Sequence, residues 1–230
     1  LAEKTVVNLS CCFRLLDFVS FHEAASMPTC SWAAYIALFD KLRIQPGMTV
    51  FVHGGSGGVG HIAVQLARYH GCRVFASCSP PNVAFVESLG ADNVFDYTRS
   101  DVRQLLDAAT GGVGVDCILD TVGDVARFVD VLRFGGSVCC LKPAALPHPA
   151  HLSSRQASIH FLHLDGLFSS DSLTGVFRQV GEETLKLHQA GAFSVCMEVL
   201  RTDQIRQGMA QVATGHTRGK FVVDLSKPAP

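Results

Sequence analysis

The stretch "TVFVHGGSGGVGHIAVQLARY" (49–69) places five glycines in the eight positions 53–60, between two runs that both have the character of regular structure. Glycine inside an element is destabilising, because its backbone loses the most freedom on folding. Such a cluster is therefore a flexible linker or a backbone that something must approach closely. Its context favours the second. "TVFV" (49–52) is a β-branched and aromatic run, and in "GVGHIAVQLARY" (58–69) Val59, Ile62, Ala63, Leu66 and Ala67 recur at helical spacing. Gly55-x-Gly57-x-x-Gly60 matches the dinucleotide fingerprint, and Gly54-x-x-Gly57-x-x-Gly60 is a second reading of the same residues. One glycine makes the tight turn, the next lets the backbone reach a pyrophosphate, and the last allows close helix–strand packing. The unpaired N–H groups at the start of the helix expected over 58–70 would face the phosphate oxygens.

Strand and helix patterns alternate from that point on. "RVFASC" (73–78), "NVFDY" (93–97), "VDCILDTV" (115–122) and "GSVCCL" (136–141) read as strands. "PPNVAFVESLG" (80–90), "DVRQLLDAATG" (101–111) and "DVARFVDVL" (124–132) read as the helices between them, the first with proline at its start and glycine at its end. The strands are near-continuous apolar runs, which predicts a doubly wound α/β fold with a parallel sheet covered on both faces. "KPAALPHPAHLSSRQ" (142–156) reads as a loop, and "IHFLHL" (159–164) as a sixth strand. A long helix over 172–191, a strand over 193–200, a helix over 202–213 and a last strand "GKFVVDL" (219–225) follow. "FHEAASM" (21–27) suggests a short helix, and "GGVG" (111–114), which precedes a strand, is read as a turn.

The 230 residues carry 19 basic and 20 acidic side chains, so charge gives no reason to expect nucleic acid or an anionic membrane as partner. No apolar run approaches the roughly 20 residues that span a bilayer, and "LAEKTVVNLS" lacks the pattern of a secretory signal. Nine cysteines without a C-x-x-C pair give neither a zinc clamp nor a thioredoxin-type motif, and a reduced cytoplasmic setting is expected.

NAD selectivity usually needs an Asp or Glu about 20 residues past the glycine turn, to accept from the ribose hydroxyl. No acid occurs between Cys72 and Val86, and the strand end there is Ser77-Cys78-Ser79. Hydroxyls tolerate a 2′-phosphate where a carboxylate would repel it, so NADPH is expected over NADH. No lysine or arginine occurs over 74–98. Arg73 stands at the wrong end of its strand, ~13 Å before Ser77, and Arg99 is the nearest cation. The candidate cofactor-binding set is Gly55, Ser56, Gly57, Gly58, Val59, Gly60, Ser77, Ser79, Asn82, Thr121 and Val122, the last two at the carboxyl end of the fourth strand, where ligands collect in such sheets. The His-x-x-His pairs at 148/151 and 160/163 are read as solvated or core histidines, since the first lies in a proline-rich loop and the second faces both sides of a strand. His53 is placed at a strand end, His61 on the surface of the first helical turn, and Tyr35 in helix packing. No metal ligands and no catalytic residue are assigned.

These residues resemble the medium-chain dehydrogenase/reductase superfamily, in particular its zinc-independent quinone oxidoreductase and enoyl reductase branch. The resemblance rests on "FHEAASMP" (21–28), "AAYIAL" (33–38), "IQPGMTVFVHGGSGGVGHIAVQLAR" (44–68), "LGADNVFDY" (89–97), "GVDCILDTVG" (114–123), "LRFGGSV" (132–138) and "GHTRGKFVVDL" (215–225). It implies a Rossmann NADP-binding domain over 29–190. Residues 1–28 and 191–230 would then be remnants of a GroES-like catalytic domain, most of whose usual N-terminal part is absent. It implies that Tyr97 joins the candidate set, against the 2′-phosphate, and that hydride passes from NADPH to a quinone or activated alkene, with enones and enoyl thioesters as the substrate class. It also implies homodimers paired through the strand at 159–164. An enoyl reductase module of a larger synthase and a non-catalytic nucleotide-binding or redox-sensing protein are the alternatives. Cys30 lies near where zinc-dependent members place a ligand, but zinc is not expected here.

Overall fold

The computed structural model describes residues 4–7, 9, 12–99, 101–143, 145–169 and 174–226. Six parallel strands form its central sheet: β1 (Thr49–His53), β2 (Arg73–Cys78), β3 (Asn93–Asp96), β4 (Val115–Asp120), β5 (Leu132–Cys140) and β6 (Ser158–Phe161), in the order β3-β2-β1-β4-β5-β6. The doubly wound parallel sheet expected from the sequence is thus observed, with its order reversing between β1 and β4.

Each central strand is apolar on both faces because it serves two cores. Val50 and Val52 of β1 join Val74, Ala76 and Leu119 in one. Phe51, between them, joins Phe75, Ile118 and Val138 in the other. Helices α1 (Phe21–Ser26), α2 (Pro28–Tyr35), α3 (Gly60–Tyr69) and α4 (Val83–Ser88) are the first to be placed, and α2, α3 and α4 cover the first face. Ile62, Ala63, Leu66 and Ala67 of α3 are all buried there, on the stripe that the sequence spacing marks. On the other face α5 (Val102–Ala109) buries Val102 and Leu106. A π-helical turn, Ile36–Lys41, extends α2, and Tyr35 stacks tilted on Phe39 with ring centroids 5.0 Å apart.

Two stretches differ from expectation. Residues 124–132 are not one helix but two 3₁₀ turns, Val125–Arg127 and Val129–Val131. The reason is that β5 begins at Leu132, earlier than its apolar run suggests, which leaves too little chain for a full crossover helix. Residues 142–156 are not all loop: α6 (Pro149–Arg155) starts with proline in its first turn, and the His148 ring accepts from the Ala150 amide at 3.2 Å as its cap. The remaining elements are α7 (Thr174–Gln189), β7 (Met197–Leu200), α8 (Ile205–Ala213) and β8 (Lys220–Val223). β7 and β8 pair in parallel as a separate sheet, and α1 packs on it, His22 Nε2 lying 3.3 Å from Asp224 Oδ2.

Candidate functional site

A cleft of about 690 Å³ opens at the carboxyl ends of the strands, where β1 and β4 lie side by side. The glycine turn between β1 and α3 forms one wall. Gly54 has φ +86°, and a Cβ there would collide with Thr121 Oγ1, so this glycine makes the tight turn. The second reading of the motif therefore describes the geometry. Gly55 instead packs against β2, its ideal Cβ falling 2.9 Å from Ala76 Cβ. Gly60 sits so close to the Gly54 carbonyl that no side chain fits, which is the close helix–strand packing anticipated for it. Gly57 differs: its ideal Cβ meets nothing nearer than Gly54 O at 3.5 Å and faces open space.

No side chain caps α3. Among the described residues the amides of Ser56, Gly58 and Val59 have no hydrogen-bond partner, and all three residues line the cleft. An uncapped helix start with free N–H groups is a cradle for phosphate oxygens. The opposite wall is the turn after β4. The buried Asp120 carboxylate accepts from the amides of Val122 and Gly123, each at 2.9 Å, and of Asp124 at 2.8 Å. Thr121 Oγ1 donates to His53 O at 2.7 Å, tying that turn to the end of β1.

Of the candidate set, Ser56, Gly57, Gly58, Val59, Ser79, Tyr97, Thr121 and Val122 line the cleft together. Gly55, Gly60, Ser77 and Asn82 stand behind it. The Ser77 hydroxyl is 2.7 Å from His53 Nδ1, so both groups are engaged inside the protein. Burial lowers the His53 pKa, against the pull of Asp120 and Asp124. Asn82 Nδ2 donates to Ser56 Oγ at 3.1 Å and to Ser79 Oγ at 3.3 Å, which braces the glycine turn. Arg99 pairs with Asp96 at 3.4 Å and stays 79% exposed.

His61 is not on the surface as expected but fully buried. Its Nδ1 hydrogen donates to Gly57 O at 2.9 Å, and its Nε2 accepts from the Cys196 amide at 3.2 Å. The segment before β7 covers the first turn of α3, and Gln65 holds it by accepting from the Ser194 amide at 2.9 Å. Burial pushes the His61 pKa down, partly offset by the bond to Gly57. The other histidine pairs act locally. His151 Nδ1 lies 2.7 Å from Asp130 Oδ1, and His163 lies beyond the end of β6, so the 160/163 pair does not share a strand.

Further lining residues were not singled out from the sequence: Lys142 after β5, Asp124, Arg127 and Phe128 after β4, and His216, Thr217 and Lys220 from the approach to β8. "GHTRGKFVVDL" contains the last three, but nothing local says that they return to the glycine turn. Gly219 N donates to Ser56 O at 2.9 Å and makes that return. Lys220 lies beside Cys30, and burial keeps that thiol's pKa raised against the pull of the ammonium.

With this geometry in place, the chain matches the zinc-binding dehydrogenase profile over residues 58–189. The chain belongs to the zinc-binding dehydrogenase family. Its superfamily is the medium-chain dehydrogenases/reductases. A trans-enoyl reductase, pgmF, of Aspergillus terreus (strain NIH 2624 / FGSC A1156) is 37% identical over 121 residues, half of this chain and 34% of that protein. Among solved structures, the CurK enoyl reductase superposes with a TM-score of 0.83 at 26% identity, over 95% of this chain and 67% of the other. A mycobacterial protein solved in complex with NADPH gives 0.80 at 25% identity, over 91% of this chain and 68% of the other. The chain thus spans about a third of the curated relative.

Among the described residues the zinc in the family's name has no fitting donor set. Cys30 has a lysine ammonium as its neighbour, a cation that opposes a metal, and among the described residues no three His, Cys, Asp or Glu side chains come together. Among the described residues no helix is long and apolar enough to cross a membrane.

Proposed function

We propose that this chain is the NADPH-binding part of an oxidoreductase that reduces a quinone or an activated alkene, enones and enoyl thioesters included. The observation that carries the reading is the uncapped start of α3, whose free amides open into a cleft at the point where the strand order reverses. NADPH supplies the hydride when bound, and the protein's part is to hold and orient it. The Ser56–Val59 amides would hold the pyrophosphate. Thr121 and Val122 would border a ribose, and Ser79 and Tyr97 would meet the 2′-phosphate. Thr29, Cys30, Leu141 and Lys142, which also line the cleft, would border the nicotinamide. The buried, neutral His53 would keep Ser77 fixed beneath the turn rather than exchange protons with a substrate.

Residues 29–190 form the cofactor domain in this reading, and α1 with the β7–β8 sheet belongs to a catalytic domain. A reducing, cytoplasmic setting agrees with the buried thiols of Cys30, Cys72, Cys78, Cys117, Cys139 and Cys140, none of them in a disulfide. β6 is an edge strand with Phe161 53% exposed, which suits a homodimer paired through that edge. Sedimentation would then show a dimer that Phe161→Lys converts to monomer.

The function is tested by titrating the chain with NADPH and NADH in a calorimeter. Loss of NADPH absorbance is then followed with a quinone, an enone and an enoyl thioester in turn. NADPH bound more tightly than NADH by this chain, and oxidised by at least one acceptor once the chain is restored to a full-length protein, is expected. Absence of binding by either nucleotide overturns the reading.

A further inference from the structure

We propose that Arg218, delivered from the other end of the chain, supplies the positive charge that selects a 2′-phosphorylated nucleotide. The inference rests on the NADPH reading above and adds the residue that decides it. The stretch 74–98, which forms the adenosine side of the cleft, contains no lysine or arginine. The structure brings one in from 136 residues away: Arg218 Nε donates to Asn82 Oδ1 at 3.3 Å. Nη2 donates to Pro81 O at 3.0 Å, and the guanidinium carbon lies 4.9 Å from the centre of the Phe85 ring.

Three features make this a poised cation rather than a surface ion pair. First, among the described residues Arg218 makes no ion pair with a carboxylate, so its charge is not neutralised within the protein. Second, its two hydrogen bonds use two of five N–H donors, leaving a planar fork for phosphate oxygens. Third, its position is fixed. The next residue, Gly219, is anchored on Ser56 O at 2.9 Å, and Asn82 bonds both Ser56 and Ser79. Beside it Tyr97 Oη lies 3.1 Å from His216 Nδ1, so the same turn borders the Ser79–Tyr97 corner of the cleft. Arg218 meets Asn82 just behind the cleft, while its sequence neighbours His216, Thr217 and Lys220 line it.

The competing explanation is mechanical: Arg218 would only clamp the returning segment onto α4. Binding of NADPH, NADH, 2′,5′-ADP and 5′-AMP to the wild type, Arg218→Gln and Arg218→Lys separates the two. Removing a charge-assisted phosphate contact should weaken NADPH and 2′,5′-ADP by about 10- to 100-fold in the Gln variant. NADH and 5′-AMP should change less than about 2-fold, because they lack the group that Arg218 meets. The Lys variant, which keeps the charge and loses the fork, should retain most of the preference. The wild-type preference should also shrink as salt is raised. Equal weakening of all four ligands in the Gln variant establishes the clamp and overturns the proposal, as does an unchanged NADPH affinity. If the wild type binds none of the four, the NADPH reading itself falls, which is a different result from either.

Discussion

Replacing Gly57 by alanine separates the nucleotide's requirement for glycine from the fold's requirement for it. At Gly60 a Cβ runs into the Gly54 carbonyl, and at Gly54 the backbone is left-handed, so substitutions there disturb the protein itself. Gly57 is neither crowded nor left-handed: its Cβ would sit 3.5 Å from Gly54 O, an ordinary contact, with open cleft beyond. Alanine reduces the freedom of the unfolded chain, which at a compatible site stabilises by about 0.4–1 kcal/mol. For a chain of this size that raises Tm by about 1–4 °C. The same methyl projects into the space that the pyrophosphate must occupy, and one lost phosphate–amide contact weakens binding by about 10- to 100-fold. Scanning calorimetry and NADPH titration on one preparation test both signs. A variant that melts no lower than wild type and binds NADPH poorly is the expected result. Unchanged affinity would refute the placement of the pyrophosphate at Gly57, and a collapse in Tm would refute the reading of open space.

Gly219→Ala should loosen the segment before β8, because φ is +61° there and an added Cβ would collide with the Cys196 carbonyl; limited proteolysis should then cut within 195–219 sooner than in wild type. His61 has a folded pKa below its unfolded value, so it contributes stability above pH ~6.5 that is lost as pH falls toward the folded value. Tm should accordingly drop between neutral pH and pH ~5, and His61→Gln should flatten that drop; an unchanged slope would mean that the buried ring is not what titrates. Burial pushes the thiols of Cys117, Cys139 and Cys140 up to about 12. Alkylation at mildly alkaline pH should therefore spare these three in the folded chain and reach them after denaturation, as read by peptide mass spectrometry.

What the sequence made legible is what local pattern controls. Two-sided apolar strands such as "TVFV" need a core on each face, and Val50, Phe51 and Val52 show why: neighbours in sequence belong to opposite cores. The apolar stripe of α3 and the glycine turn were readable for the same reason. Residues 124–132 misled because their apolar spacing suits a helix, whereas the length left before β5 does not. His61 misled because a polar residue in the first turn of a helix is ordinarily solvated. The return of 194–196 helps to cover it, and no window around position 61 contains that information. Arg218 was hidden in the same way: its sequence neighbours mark a strand entrance, while its side chain serves a corner built from residues 79–85.

The glycine turn is held from both sides, and the two sides have different character. Toward the sheet, Gly55 N donates to Ser77 O at 2.8 Å and Thr121 N to His53 O at 3.2 Å, bonds set within the parallel core. Toward the chain's end, Gly219 N meets Ser56 O, the Cys196 amide meets His61, and Arg218 meets Asn82. This second set belongs to a segment attached to a two-stranded sheet, and it is the weaker clamp. A ligand that binds only the clamped arrangement must stabilise it by the free energy with which it discriminates between the two. NADPH should therefore slow amide hydrogen exchange over 196–220 as well as over 54–61. If Arg218 is the group that meets the 2′-phosphate, NADH at equal saturation should protect 54–61 to a similar degree and 196–220 much less. Equal protection of the C-terminal segment by both nucleotides would show that its docking does not depend on the phosphate.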